Sequence, residues 1–310
     1  MSKRVDINII KELRQILPEG EVLSDEPMSK HTTFRIGGPA DLFIRPKNVQ
    51  EIRDALSFLE KAGIPVFVLG NGSNLLVSDQ GFRGVVLQLF RNFQALSADG
   101  KCLKAQSGLL LSALASEAAK RSLTGLEFAS GIPGTVGGGI LMNAGAYGGE
   151  ICDVLQEAVI LTKENELRTI RKDELGLSYR RSRAMDEEWV ILEGTFELSE
   201  GSPEAITARM EEMREARTSK QPLEYPSAGS TFKRPEGYFA GKLIMDAGLA
   251  GESCGGACVS EKHCGFVINR GGATAEDVVT LIRRVQEIVR KNSGVQLETE
   301  VRFLGFDTDV

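Results

Sequence analysis

The chain has 310 residues, of which 42% are apolar and 26% are charged, and its net charge is −6. A chain of this size and composition is typical of a globular enzyme with more than one hydrophobic core. The acidic balance argues against a general nucleic-acid binder, because such proteins neutralise phosphates with clustered lysine and arginine. We therefore expect no nucleic acid among its partners.

The N-terminal stretch lacks the apolar segment and small-residue cleavage site of an export signal. No run of residues approaches the ~20 apolar residues that span a bilayer. The sequence therefore predicts a cytoplasmic protein that does not enter a membrane. Five irregularly spaced cysteines argue against a disulfide framework, and they are Cys102, Cys152, Cys254, Cys258 and Cys264.

A zinc site is one alternative for Cys254, Cys258, His263 and Cys264, which lie close together in the sequence. Zinc favours cysteine and histidine ligands, usually in short paired spacings around a tetrahedral ion. The adjacent His263 and Cys264 fit that geometry poorly, and buried thiols are the better interpretation. The sequence predicts no metal.

Helical periodicity, capping residues and short apolar runs predict alternating helices and strands along the first 200 residues. In chain order they are a helix over 6–17 capped by Asp6, a strand at Asp41–Arg45, a helix from Asn48 to Gly63 with a capping-box pattern at Asn48 and Glu51, strands at Val66–Leu69 and Leu75–Val77, mainly strands over 82–110, a helix at Leu111–Ala118, and strands at Val154–Leu161 and Trp189–Leu198. This order indicates an α+β protein.

Two helices are predicted in the last third of the chain. The first begins at Ser202–Glu204, which combines an N-cap serine, a proline at the first helical position and an acid. It ends near Lys220. The second helix covers 275–291, is capped by Thr274, and is followed by a strand over Val295–Phe303. We divide the chain into three parts, which are residues 1–90, 91–201 and 202–310.

Two glycine-rich segments, Gly70–Asn74 and Gly131–Gly139, are typical of loops that hold phosphates. Glycine permits positive φ, so that successive backbone N–H groups can point inward at an anion. Either segment alone is slightly better explained as a tight turn, but two in one chain favour a dinucleotide. Neither matches the G-x-G-x-x-G or the P-loop pattern, which disfavours an ordinary Rossmann domain and a kinase or ATPase.

In combination, six motifs make the chain resemble the UDP-N-acetylenolpyruvoylglucosamine reductases. They are Thr33–Gly38, Gly70–Leu75, Gly131–Gly138 with Asn143–Tyr147, Ser178–Ser182, Pro226–Lys233 and Glu300–Phe303. The resemblance runs from about His31 to Phe306. It implies an α+β fold in which an FAD-binding fold of the vanillyl-alcohol-oxidase type, in two subdomains, is followed by a C-terminal α+β substrate domain.

The resemblance also implies an activity and its cofactors. In this family NADPH reduces FAD, and the flavin passes hydride to the enolpyruvyl group of UDP-N-acetylglucosamine enolpyruvate. The product, UDP-N-acetylmuramate, is a peptidoglycan precursor. FAD is expected to be non-covalent, because Gly70–Asn74 contains neither histidine nor cysteine for a covalent link. We expect a monomer, and a non-catalytic nucleotide-sugar sensor on the same fold is the alternative.

Three catalytic side chains follow from the resemblance. Arg180 is expected to bind the substrate carboxylate and to stabilise the charge that develops during reduction, with neighbouring Arg181 as the rival. Glu300 is expected to work with Arg180, although Glu298 lies on the same polar face. Ser230 is expected to donate the proton, activated by Lys220, Lys233 or a water relay.

The remaining site residues are also carried over from the family motifs. The expected FAD contacts are Arg35, Gly37, Gly70, Asn71, Gly72, Ser73, Asn74, Leu75, Gly131, Ile132, Gly134, Thr135, Gly137, Gly138, Asn143, Gly145 and Ala146. The expected substrate contacts are Tyr179, Lys220, Lys233 and Arg234. Some members have asparagine at position 234, and the chain has no room after Tyr147 for the tyrosine-bearing insertion of one subclass, which indicates the shorter subclass.

Overall fold

The computed structural model describes residues 5–306. The first four residues, which form part of the stretch examined for an export signal, lie outside the described residues. Among the helices that are described, none is both long and apolar enough to cross a membrane.

The first part of the chain is built on a four-stranded sheet. Its elements are α1 (Ile7–Ile16), β1 (Glu21–Pro27), β2 (Pro39–Arg45), α2 (Val49–Lys61), β3 (Val66–Leu69), β4 (Leu75–Val77) and β5 (Phe82–Gln88), with a short 3₁₀ turn at Met28–Lys30. The strand order is β1-β2-β5-β3, with β1 antiparallel and the other three parallel. Strand β2 is buried on both faces: Leu42 and Ile44 face one core and Phe43 the other.

Local capping explains where both helices of this part begin. The Asp6 carboxylate accepts from Asn8 N at 2.8 Å, and the Asn48 side chain accepts from Glu51 N at 2.9 Å. The predicted caps are confirmed. The capping box at Asn48 is only half formed, because the Glu51 carboxylate accepts from Lys47 N and Glu19 N instead of Asn48 N.

The second part is a five-stranded antiparallel sheet covered by helices. Its elements are β6 (Leu96–Asp99), β7 (Cys102–Gln106), α3 (Leu111–Lys120), β8 (Leu123–Thr124), α4 (Val136–Leu141), β9 (Gly145–Ala146), β10 (Gly149–Glu150), α5 (Ile151–Val154), β11 (Leu155–Leu161), β12 (Leu167–Arg171), α6 (Arg183–Asp186), β13 (Val190–Glu197) and β14 (Ser199–Glu200). The sheet order is β12-β11-β13-β7-β6. Leu111 and Leu114 of α3 and Ile140 of α4 are buried in its core.

The sequence predicted a loop for the second glycine segment, but only part of this segment is a loop. Its second half forms the helix α4, which Thr135 caps by accepting from Gly138 N at 3.4 Å. A Cβ on Gly137 would lie 2.8 Å from the Ser107 Cβ, and one on Gly139 would lie 2.9 Å from a Leu111 methyl. These two glycines therefore allow α4 to pack closely against the protein.

The third part is built around one long helix. Its elements are α7 (Pro203–Lys220), α8 (Ala240–Asp246), β15 (Ser253–Cys254), β16 (Ala257–Val259), β17 (Val267–Asn269), α9 (Ala275–Ser293) and β18 (Arg302–Leu304). The predicted apolar face of α9 is buried, and it consists of Val278, Leu281, Ile282, Val285 and Val289. Thr274 caps the helix within a full capping box, and Gly294 ends it with φ 74°.

The third part is docked on the other two. Helix α7 packs on the second part, where Met213 is buried in the core. Phe34 and Leu76 of the first part are buried in the same core as α9. The Asp79 carboxylate accepts from the first two amides of α9, Ala275 N at 2.8 Å and Glu276 N at 3.1 Å.

The predicted strand over Val295–Phe303 is confirmed only at its end, where β18 begins at Arg302, because the segment pairs with two different partners. Thr299 bridges Phe232, whereas β18 pairs in parallel with β4 of the first part. The alternation of polar and apolar residues reflects an extended chain with Leu297 and Val301 buried. This return to β4 brings residue 300 beside the first glycine segment.

Candidate active site

A tight turn determines the direction of Arg180. Ser178 and Arg181 exchange two backbone hydrogen bonds, of 3.0 and 3.1 Å, around Tyr179 and Arg180. Arg180 has φ 58°, a left-handed conformation that costs a residue with a side chain about 1–2 kcal/mol. The two neighbouring arginines consequently diverge. Arg181 is exposed and pairs with Asp186, whereas Arg180 turns into a cleft.

Arg180 and Glu300 form an ion pair across the boundary between the second and third parts. Arg180 Nε donates to Glu300 Oε1 at 2.6 Å, and the side chains are 19% and 15% exposed. The guanidinium also donates from Nη2 to Gly145 O at 3.4 Å and lies 4.9 Å from the centre of the Tyr179 ring. Because the pair is shielded from water, it is more rigid and less screened than a surface ion pair.

The backbone of Glu300 is held from two sides. Glu300 N donates to Thr231 O at 2.8 Å, and the Asn74 side chain donates from Nδ2 to Glu300 O at 3.0 Å. Glu298, two residues earlier, points the other way and pairs with Lys233 on the surface at 3.1 Å. Of the two glutamates, the structure brings only Glu300 to Arg180.

Ser230 follows Gly229, whose φ of 78° favours glycine. The next residue, Thr231, is anchored: its N–H donates to Gly265 O at 2.8 Å and its hydroxyl accepts from Val267 N at 2.9 Å. Ser230 itself is exposed to the cleft, and its hydroxyl makes no hydrogen bond to residues 5–306. It is therefore free to meet a ligand.

Ser230, Arg180 and Glu300 line one cleft of about 420 Å³. Four arginines and lysines and two glutamates line it, an excess of positive charge that suits a phosphorylated ligand. Its other lining residues are Tyr179, Phe232, Arg234, Phe239, Ala240, Gly241, Lys242, Met245, Glu261, Lys262, His263, Cys264 and Gly265. Sequence reasoning missed Lys242, Lys262 and His263. Lys262 and His263 lie in the segment that was considered only for zinc.

The predicted substrate contacts are only partly brought together. Tyr179 and Arg234 line the cleft, and Arg234 N donates to the Tyr179 hydroxyl at 3.2 Å. The Arg234 guanidinium lies 4.0 Å from the centre of the Phe239 ring. Lys233 points to Glu298 and Lys220 is exposed at the end of α7, so neither lines the cleft.

The two glycine segments meet, as a single dinucleotide site requires. Asn71 donates from Nδ2 to Pro133 O at 2.7 Å, and a Cβ on Gly70 would lie 2.5 Å from the Thr135 hydroxyl. Gly72 has φ 63°, and a Cβ there would lie 2.1 Å from His31 O. By contrast, a Cβ on Gly134 would meet nothing closer than 3.8 Å, so the backbone there is open to a ligand.

A cavity of about 330 Å³ lies between these segments and the Ser230 loop. Arg35 and Ser73 line it on the side of the first segment, and Ser227 and Gly229 line it beside Ser230. Open backbone, hydroxyl groups and cations on its walls could hold part of an FAD molecule.

Other predicted cofactor residues have structural roles in the protein. Gly37 packs against Val77, and a Cβ there would lie 2.7 Å from the Val77 Cβ. Asn143 is fully buried, donates to Ser178 O at 3.3 Å and accepts from Cys152 N at 3.0 Å. It thereby holds the turn that carries Arg180. Leu75 is buried in strand β4, Gly138 lies in α4, Ile132 is partly buried, and Gly145 and Ala146 form a hairpin with Gly149 and Glu150.

The cysteine and histidine group of the third part does not converge on one point. Within the described part of the chain, the ligand atoms of Cys254, Cys258, His263 and Cys264 form no cluster of metal-binding size. Burial raises the pKa of the Cys258 and Cys264 thiols. Cys258 instead packs with its sulfur against Gly251 O and Val259 O, as expected of a buried thiol.

Glu150, Cys152 and Asp153 do lie within reach of one another. Burial and the neighbouring acids raise the pKa of Cys152 to about 11, so the thiol stays protonated near neutral pH. A protonated thiol beside the half-buried Glu150 and the exposed Asp153 is a poor ligand.

Known proteins with similar sequences cover almost the whole chain. A family model described as the C-terminal domain of UDP-N-acetylenolpyruvoylglucosamine reductase matches residues 221–304, and one described as an FAD binding domain matches residues 40–171. The reductase of Agathobacter rectalis is 53% identical over 96% of this chain and 98% of its own length. That of Lachnoclostridium phytofermentans is 52% identical over 96% and 97%.

A solved structure agrees with these sequence matches. The UDP-N-acetylenolpyruvylglucosamine reductase of Thermus caldophilus is 36% identical and superposes with a TM-score of 0.79, covering 92% of this chain and 99% of that one. The expected fold, an FAD-binding domain followed by a separate C-terminal domain, is confirmed. The chain belongs to the UDP-N-acetylenolpyruvoylglucosamine reductase family.

Proposed function

We propose that the 420 Å³ cleft reduces the enolpyruvyl group of UDP-N-acetylglucosamine enolpyruvate, and that Arg180, Glu300 and Ser230 carry the reaction. The observation that supports this most is their convergence on one cleft beside the predicted FAD cavity. FAD, reduced by NADPH, supplies the hydride that reaches one alkene carbon. The protein must then stabilise the negative charge that develops and deliver a proton to the other carbon.

Arg180 is suited to the substrate carboxylate because a guanidinium is always charged and offers several donors in one plane. Its Nε donates to Glu300 and its Nη2 lies 3.4 Å from Gly145 O, so the orientation of the group is set before substrate arrives. Donors that are already aimed stabilise developing charge without reorganising. We infer that Glu300 fixes this orientation, so that the Arg180 guanidinium is held ready for the charge that develops.

Ser230 is the proposed proton donor. Its free hydroxyl lies in the cleft, beside Gly229, which lines the FAD cavity. Lys220 and Lys233 were the predicted activators, and neither lines the cleft, whereas His263 and Lys262 do. A water relay, or one of these two side chains, is therefore better placed to return a proton to the serine.

The cationic wall of the cleft suits the diphosphate of the substrate. Arg234, Lys242 and Lys262 lie on it, and of these Lys242 also pairs with Asp246 and Lys262 with Glu224. The exposed Phe239 ring beside Arg234 offers an apolar surface for the nucleotide base. Substrate contacts by Lys220 and Lys233 stay predictions, which their positions outside the cleft do not support.

Two further features of the family assignment remain proposals. Tyr147 and Gly148 form a two-residue turn between β9 and β10, both with positive φ, which leaves no space for an insertion and supports the shorter subclass. We also propose non-covalent FAD. His31 lies next to Gly72, but its Nε2 bonds Glu26 at 2.9 Å and its ring stacks on Phe43.

The decisive test measures the two half-reactions separately under anaerobic conditions. NADPH should bleach the flavin spectrum, and the enolpyruvyl sugar nucleotide should restore it. We expect S230A to retain the first step and to slow the second by about 10²–10⁴-fold, the usual contribution of a general acid.

Wild-type protein that binds FAD but shows no substrate-dependent reoxidation would identify a sensor and contradict the proposed function. If S230A reoxidised at the wild-type rate, the role of Ser230 as proton donor would be wrong. Denaturation of the wild-type protein should release all of its flavin into solution, and flavin that stayed with the polypeptide would contradict non-covalent binding.

A further inference from the structure

The hydroxyl of Thr33 links the first part of the chain to the loop that carries Ser230. Thr33 Oγ1 donates to Ser227 O at 2.6 Å, although 194 residues separate the two in the sequence. The Thr33 backbone N–H donates to Gly72 O at 3.2 Å, in the first glycine segment. Thr33 also lines the 330 Å³ cavity, together with Ser227. One residue therefore bonds both the predicted cofactor segment and the loop of the predicted proton donor.

The direction of Ser230 depends on how its loop is held. Ser227, at the start of the loop, bridges β17, and Thr231, at its end, bonds the backbone on both sides of Phe266. Between these two anchors lies Gly229, and a glycine has more backbone freedom than any other residue. Because the peptide group is planar, the hydrogen bond from Thr33 to Ser227 O fixes the orientation of the whole peptide that follows Ser227.

We propose that Thr33 is a positioning residue for proton delivery by Ser230. This inference rests on the proposed function. In that reaction the Ser230 O–H bond breaks, its proton passes to the substrate carbon that the hydride does not reach, and the serine oxygen regains a proton from water through the cleft. Such a transfer requires a hydroxyl that is aimed at the carbon from a short distance, and a small displacement slows it.

Removal of the Thr33 hydroxyl should not undock the third part, because other contacts join it to the first. Asn269 Nδ2 donates to Phe34 O at 3.2 Å in a buried position, and the Phe34 ring is buried in the same core as α9. The ion pair of the cleft does not involve Thr33. We therefore expect loss of this hydroxyl to loosen residues 227–230 without changing the charge of the cleft.

The first test compares T33V, which keeps the shape of the side chain but removes its hydroxyl, with T33S, which keeps the hydroxyl. At saturating enolpyruvyl substrate, reoxidation of the reduced flavin should slow about ten-fold in T33V, with an unchanged half-saturating substrate concentration. The solvent deuterium isotope effect on this step should increase, because proton delivery limits the rate more strongly. T33S should recover most of the rate. T32V is the matched control, because the Thr32 hydroxyl also donates to a carbonyl, that of Ile36, outside the Ser230 loop.

A second measurement is independent of turnover. Hydrogen–deuterium exchange of the FAD-bound protein, without sugar nucleotide, reports how often the amides of residues 228–230 open. Their exchange should be faster in T33V than in wild type, T33S or T32V. Equal exchange in T33V and wild type would overturn the proposal, whether or not the wild-type protein reduces the proposed substrate.

Reoxidation of T33V at the wild-type rate would also overturn the proposal, as would equal slowing in T33V and T32V. Weaker FAD binding in T33V with an unchanged isotope effect would assign the Thr33 hydroxyl to the cofactor instead. Faster exchange in T33V, together with no substrate-dependent reoxidation in wild type, would contradict the proposed function and with it the role of Thr33 in proton delivery.

Discussion

The Glu300 carboxylate accepts a hydrogen bond of 2.6 Å from Arg180 Nε, although 120 residues separate the two in the sequence. This hydrogen bond depends on the last strand, β18, which pairs with β4. Strand β4 follows directly after the first glycine segment in the sequence. Asn74, the last residue of that segment, donates to Glu300 O. The proposed cofactor loop and the proposed catalytic carboxylate are therefore parts of one rigid connection.

The ion pair leads to a test of Glu300 against a neighbour of the same type. We expect E300Q to lower kcat/KM for the enolpyruvyl substrate by about 100-fold, because Arg180 loses its charged partner and its fixed orientation. NADPH-dependent flavin reduction should be unchanged. E298Q is the control, since Glu298 pairs with Lys233 on the surface, and it should stay within about two-fold of wild type.

If E298Q and E300Q lowered kcat/KM equally, the assignment of the catalytic carboxylate would fail. Stopped-flow absorbance of the flavin separates the two half-reactions in both variants. A variant that had lost its structure would slow both flavin reduction and substrate reduction. This result is therefore distinguishable from a specific effect on substrate reduction.

The same argument applies to two neighbouring cations of the Ser230 motif. Arg234 lines the cleft, whereas Lys233 is engaged with Glu298 outside it. We expect R234Q to raise KM for the sugar nucleotide by about ten-fold, the effect of losing one charge-assisted hydrogen bond, and K233Q to leave KM nearly unchanged. Steady-state kinetics at constant ionic strength measures both. A larger effect of K233Q would restore the substrate contact predicted from the sequence.

The five longest of the described helices were predicted from the sequence, and local contacts explain why. The caps Asp6, Asn48 and Thr274 bond amides two or three residues away, so a short pattern contains the whole signal. Helix α4 was missed because three of its six residues are glycine, a poor helix former that is tolerated there by tight packing.

The candidate site could be predicted only in part for a related reason. Motifs named Arg180, Ser230 and Glu300, but residue chemistry alone left Arg181 and Glu298 as rivals. The left-handed turn at Arg180 and the pairing of residues 298–300 with 231–233 distinguish them, and both depend on the folded chain.

The docking of the third part gives a prediction about stability. Asp79 accepts from two amides at the start of α9, 196 and 197 residues away. We expect D79A to lower the free energy of unfolding by about 1–2 kcal/mol, as loss of a helix cap does, and D79N to lower it less because one acceptor oxygen remains. Urea denaturation followed by far-UV circular dichroism measures the difference. If D79A were as stable as wild type, the contact would contribute nothing to docking.

Two histidines predict how stability depends on pH. Burial lowers the pKa of His31, against the opposing effect of Glu26, and burial also lowers the pKa of His263. The unfolded chain then binds more protons than the folded one as pH falls through the ordinary histidine pKa near 6.5. The contribution of both histidines to folding stability is therefore complete above that pH. It decreases as the pH falls towards their pKa values in the folded protein. The urea concentration at the unfolding midpoint should decrease as the pH is lowered from about 7.5 to about 5.5. Few carboxylates titrate in this window.

The double variant H31Q/H263Q should show a flatter dependence in this window, because glutamine keeps a hydrogen-bonding group but takes up no proton. Its midpoint at pH 7.5 can be lower than that of wild type, since the ring contacts of His31 with Phe43 and of His263 with Phe266 are lost. The slope against pH, not the absolute midpoint, is therefore the quantity to compare. An identical slope in wild type and the double variant would show that other groups cause the dependence.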